Sequence, residues 1–134
     1  PNYPVAIAFL AEAYTQKGDL SSAASTIGKL ASDAMDPQAL SVMGYVYARS
    51  GDRDKALFIV DEFVKRSGAD YLPAINFAHI YAGLGDHEEA LKWLAKACDD
   101  RVTWVPFMRI DPKLAVLRSD PRFKELLKRA GFTV

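Results

Sequence analysis

The sequence predicts an all-α protein, an α-α superhelix of about three helical hairpins closed by C-terminal capping helices, all within one domain over residues 1–134. Three observations carry this expectation. Gly-Asp recurs at Gly18-Asp19, Gly51-Asp52 and Gly85-Asp86, at spacings of 33 and 34 residues. A tyrosine stands four residues before each glycine (Tyr14, Tyr47, Tyr81) and an alanine five after it (Ala23, Ala56, Ala90). Between these landmarks apolar residues fall at helical spacing, as in Ala90, Leu91, Leu94, Ala97 and Cys98, which form one stripe facing a neighbour. A period of this length marks stacked hairpins, because one hairpin cannot bury both of its faces alone.

The first hairpin is expected over residues 4–36. Ala11, three before Tyr14, lets a neighbouring backbone come close while the tyrosine fills the space beside it. Gly18 can take the left-handed conformation that ends a helix, and Asp19 can accept hydrogen bonds from the free amides that open the next. The second hairpin, 37–69, starts at Asp36-Pro37, where proline at the first helical position sacrifices no hydrogen bond, and repeats the pattern with Gly44, Tyr47 and Gly51-Asp52. In the third, 70–102, Ala78 and Tyr81 take the same places, and Asp86 with Glu89 has capping-box spacing. Residues 103–134 then close the stack. Trp104, Phe107, Met108 and Ile110 suggest a short apolar helix or half of a degenerate fourth unit, with Pro106 in its first turn. Asp111-Pro112 opens a short helix to Arg118. Asp120-Pro121 opens a last one in which Phe123, Leu126, Leu127 and Ala130 share a face, Gly131 is the stop, and basic residues face out.

Unit two, read through its packing positions, gives Leu40, Met43, Gly44, Tyr47, Ala56, Val60, Phe63 and Gly68. Unit one gives Ile7, Leu10, Ala11, Tyr14, Ala23, Ile27, Leu30 and Met35, and unit three gives Ala74, Phe77, Ala78, Tyr81, Ala90, Leu94, Ala97 and Val102. This pattern resembles the tetratricopeptide repeat family over about residues 4–100, without the family's terminal proline. The resemblance implies a non-catalytic module that binds a protein or peptide in a concave groove. Its groove positions fall on Val5, Ala8, Glu12 and Gln16, then Ser41, Tyr45 and Arg49, then Leu72, Ile75, His79 and Ala82. The Lys and Asn set with which some members grip chaperone tails is missing, so an amphipathic helix or extended segment fits better. The run from Asp111-Pro112 through Leu117-Arg118-Ser119-Asp120-Pro121-Arg122-Phe123 to Leu126-Leu127 is similar to the closing segment of bacterial proteins in which such repeats follow a winged-helix, adenylyl cyclase-like or protein-kinase domain. That likeness implies, as the alternative function, a regulatory or oligomerisation module of a signalling or transcription regulator, with self-association possible.

Charge and chemistry narrow the classes further. Lys plus Arg and Asp plus Glu each total 17, so no overall field points to nucleic acid or an acidic membrane. Residues 101–134 nevertheless carry eight basic and three acidic side chains, leaving the rest acidic. The basic tail (Arg118, Arg122, Lys124, Lys128, Arg129) reads either as the wet side of a cap or as a phosphate contact. One cysteine, Cys98, excludes an internal disulfide and a multi-cysteine zinc site, and reads as a small buried side chain. No apolar run reaches the roughly 18 residues of a membrane span. The start at Pro1 rather than Met suggests an excised fragment, and a cytoplasmic setting is expected with the periplasm left open. No nucleophile with its base, metal cluster or phosphate loop has credible spacing, so neither catalysis nor a cofactor nor a metal is expected. His87 reads as solvated; His79 reads either as a ligand contact in the groove or as a surface histidine without a task.

Overall fold

A computed structural model of the chain describes residues 4–30, 37–66, 74–99 and 109–131, and every regular element among them is helical. The chain divides into two compact units, Pro1–Leu72 and Pro73–Val134. The first unit holds α1 (Pro4–Gln16), α2 (Leu20–Ile27), α3 (Pro37–Arg49) and α4 (Arg53–Arg66). The second holds α5 (Ala74–Leu84), α6 (His87–Asp99), a 3₁₀ helix η1 (Pro112–Leu117) and α7 (Pro121–Arg129).

The three corners are the same object. Gly18, Gly51 and Gly85 have φ of +84°, +86° and +78°, a backbone state that side chains bearing a Cβ resist. Each following aspartate donates its amide back to the tyrosine that leads the motif, Asp19 to Tyr14 at 2.9 Å, Asp52 to Tyr47 at 2.9 Å and Asp86 to Tyr81 at 3.0 Å. Each glycine amide bonds the carbonyl three residues back, which completes the Schellman arrangement. The aspartate carboxylate then accepts the amide three residues ahead, from Ser22, Lys55 and Glu89 at 3.1–3.2 Å. The Tyr–Gly–Asp spacing is thus a single hydrogen-bonded device that turns one helix into the next.

In the first unit α1 pairs with α2 and α3 with α4, while α3 also packs on α1 and α2. Ala11, Gly44, Ala23 and Ala56 are buried at these contacts, as their small size requires. α2 is the shortest helix of the hairpins, eight residues against 14 in α4 and 13 in α6. It is rich in Ser and Thr, residue types whose side chains compete for backbone hydrogen bonds and lower helix propensity, and it stops at Gly28, whose amide reaches Ala24 and Thr26.

In the second unit Phe77 stacks on Trp93, ring centroids 4.1 Å apart, joining α5 to α6. Leu94, Leu114, Leu117 and Phe123 are core residues of this unit, so η1 and α7 close it as the apolar spacing predicted. Asp111 and Asp120 each precede a proline at the start of their helix and accept the amide two residues on, Lys113 at 2.9 Å and Arg122 at 2.8 Å. Gly131, with φ of +93°, follows α7. The helix expected from Asp111 to Arg118 is the 3₁₀ helix Pro112–Leu117, with those two residues as its caps. Ile110, expected in an apolar helix, instead lies in a turn and is 66% exposed, because Arg118 pins the carbonyls on either side of it, those of Arg109 and Asp111. Trp104, Phe107 and Met108, with the cap at Asp36 and the packing positions Met35, Gly68 and Val102, lie outside the described residues.

Candidate functional site

In the first unit the packing of α1 on α3 sets two turns of side chains next to each other. Glu12 and Gln16 are one turn apart on α1; Ser41, Tyr45 and Arg49 are successive turns of one stripe on α3. Tyr45 is the hub. Its ring is almost wholly buried, 1% exposed, and its hydroxyl accepts Gln16 Nε2 at 3.1 Å and Arg49 Nη1 at 2.9 Å. The Arg49 guanidinium carbon also stands 5.9 Å from the Tyr45 ring centroid. Ser41 is buried, Glu12 and Arg49 are half-buried, and Gln16 is exposed. The face therefore offers an amide and a guanidinium, held by one phenol, above an apolar floor. Among the described residues Arg49 forms no ion pair, and its hydrogen bond to Tyr45 leaves further guanidinium donors.

A second concavity of the same unit is an open cleft lined by Leu30, Met43, Tyr47, Lys55, Phe58 and Ile59. Lys55 Nζ sits 5.2 Å from the Tyr47 ring centroid and 3.4 Å from Asp52 Oδ2.

In the second unit the expected groove positions Ile75, His79 and Ala82 are buried. Leu72 lies outside the described residues. His79 is neither at an open face nor an idle surface group. It is buried, and its Nε2 is 2.7 Å from Oδ2 of the equally buried Asp111. The reason is the Asp111 cap, which brings a carboxylate onto α5 while its other oxygen holds the first amide of η1. The Asp-Pro pair at 111 signalled the cap; nothing local signalled that its second oxygen would find a histidine 32 residues earlier.

Four of the five side chains of the basic tail are engaged within their own unit. Arg118 donates to two carbonyls, Arg122 pairs with Glu88 and Asp120, Lys128 with Glu125, and Arg129 with Asp99. Cys98 is half-buried against the core of α6, and burial pushes its thiol above the ordinary range, the opposite of an activated nucleophile. Among the described residues no group of three or more His, Cys, Asp or Glu could hold a metal ion, and no helix is long and apolar enough to cross a membrane.

Two segments match family models described as tetratricopeptide repeat, residues 37–60 and 74–99. The second covers α5 and α6 from first residue to last, and the first covers α3 and most of α4. The chain carries tetratricopeptide repeats. Comparison with curated proteins and with solved structures gives no match. The α1–α2 hairpin, which neither model covers, has a corner whose φ, Schellman bonds and capping carboxylate are those of the two matched hairpins. Tetratricopeptide repeats generally mediate protein–protein interaction and are typically non-catalytic.

Proposed function

We propose that the chain is a binding module for a peptide or partner protein, and that its first unit receives the ligand on the face built from Glu12, Gln16, Ser41, Tyr45 and Arg49. The observation that carries this reading is the Gln16–Tyr45–Arg49 cluster, in which two neighbouring first helices bring hydrogen-bond donors to one buried hydroxyl. A guanidinium fixed in orientation loses less freedom on binding and suits a carboxylate, either an Asp or Glu side chain or a chain terminus, next to an apolar anchor.

The test is selection of peptides from a displayed random library on the purified chain, followed by calorimetric titration of a selected synthetic peptide. Arg49→Ala is expected to weaken its binding roughly tenfold or more, and Tyr45→Phe to weaken it less, with the fold intact. Equal affinity in Gln16→Ala, Tyr45→Phe and Arg49→Ala would place the binding face elsewhere.

A further inference from the structure

The two helices that build the α1–α3 face carry one charged side chain each. Glu12 is the charge of α1 and Arg49 the charge of α3, and their signs are opposite. Both are half-buried. They do not neutralise each other, since Arg49 forms no ion pair among the described residues.

The hydrogen bonds to Tyr45 fix how far apart the two charges stand. Gln16 Nε2 and Arg49 Nη1 reach the same phenol oxygen, at 3.1 and 2.9 Å, so the guanidinium is held at the level of Gln16. Glu12 is one turn before Gln16 on the same face of α1, about 6 Å away along the helix. Tyr45 is almost wholly buried, which keeps its hydroxyl in place. The face thus has a negative end and a positive end roughly one helical turn apart.

That polarity acts on whatever binds. A carboxylate seated on Arg49 lies roughly 6 to 8 Å from the like charge of Glu12, no farther than the Debye length at physiological salt, so ions in solution do not remove the repulsion. A ligand with acidic groups alone meets that repulsion in full. One that sets a cation against Glu12 turns it into attraction.

We propose, resting on the reading that this face receives a peptide, that its ligand is a mixed-charge segment: an Asp or Glu taken by Arg49 and a Lys or Arg taken by Glu12. The separation of the two ends matches side chains one turn apart on a helix, or two residues apart in an extended chain. Because the ends differ, the order of acid and base sets the direction in which the segment lies, and a peptide with the two exchanged binds more weakly.

Peptides selected from a displayed random library on the purified chain are expected to share an acidic and a basic residue at one of these spacings and in one order. In calorimetric titration of a selected synthetic peptide, replacing its basic residue by Gln is expected to weaken binding to the native chain about fivefold and to leave binding to Glu12→Gln unchanged. Glu12→Lys is expected to prefer the peptide whose basic residue is replaced by Glu. Selected peptides without a basic residue, or a basic residue whose loss costs the native and Glu12→Gln chains equally, overturn this inference. If Arg49→Ala still weakens binding in that case, the α1–α3 face stands as the binding face. Indifference to Gln16, Tyr45, Arg49 and Glu12 together, or a chain that selects no peptide, overturns both.

Discussion

Asp111-Pro112 and Asp120-Pro121 are the same local instruction nine residues apart, and the second unit uses them differently. Both aspartates sit in extended backbone, both accept the amide two residues on, and both start a helix with proline. Asp111 is buried and spends its second oxygen on His79 of α5. Asp120 is nearer solvent and spends its own on Arg122, which reaches on to Glu88 of α6. One cap is tied to the core by a desolvated pair, the other to the surface by a hydrated ion pair. Local sequence chose the helix starts; burial alone decided how much each is worth, since desolvated partners are costly to lose and exposed ones are not.

The sharpest break of this contrast is Asp111→Ala. It strips the cap from η1 and leaves His79 buried without its carboxylate, and should cost about 3 kcal/mol in urea unfolding. Next in size, a double-mutant cycle between His79→Ala and Asp111→Ala should return a coupling of about 1 kcal/mol or more, while the cycle between Arg122→Ala and Glu88→Ala should return one indistinguishable from zero at physiological salt. Two equal couplings would erase the distinction drawn here. The smallest effect concerns acid. Hydrogen bonds from the Arg122 side chain, then from its backbone amide, hold the Asp120 carboxyl below its ordinary 3.8. A carboxyl lowered in the folded state adds stability above that ordinary value and loses it as pH falls through the lowered one. Asp120→Asn, which still caps, should therefore flatten the decline in stability below about pH 4, measured by thermal melts across an acid series.

The corners were legible because every part of them lies within nine residues: glycine for the left-handed turn, aspartate for the cap, alanine for the close approach. The α6 stripe and the Phe123–Leu127 face were legible by period. The burial of His79 was not, because its partner is 32 residues away and a repeat position says which side of a helix a residue takes, not what later segment lies over it. Of the expected groove, Gln16, Tyr45 and Arg49 do converge, yet their hydrogen bonds depend on how α1 and α3 are offset, which no single helix encodes. The exposure of Leu10 ran against the repeat itself, since the residues at the same packing position of the next two hairpins, Met43 and Phe77, are buried.

At Gly18, Gly51 and Gly85 a methyl group would meet nothing within 4 Å, so the objection to a larger residue is one of handedness and not of room. A D-alanine is at ease at those angles and restricts the unfolded chain as L-alanine would, without its strain. Chemical ligation of the mirror-image residue at any of the three bends would accordingly yield a more heat-resistant protein with its contours unchanged.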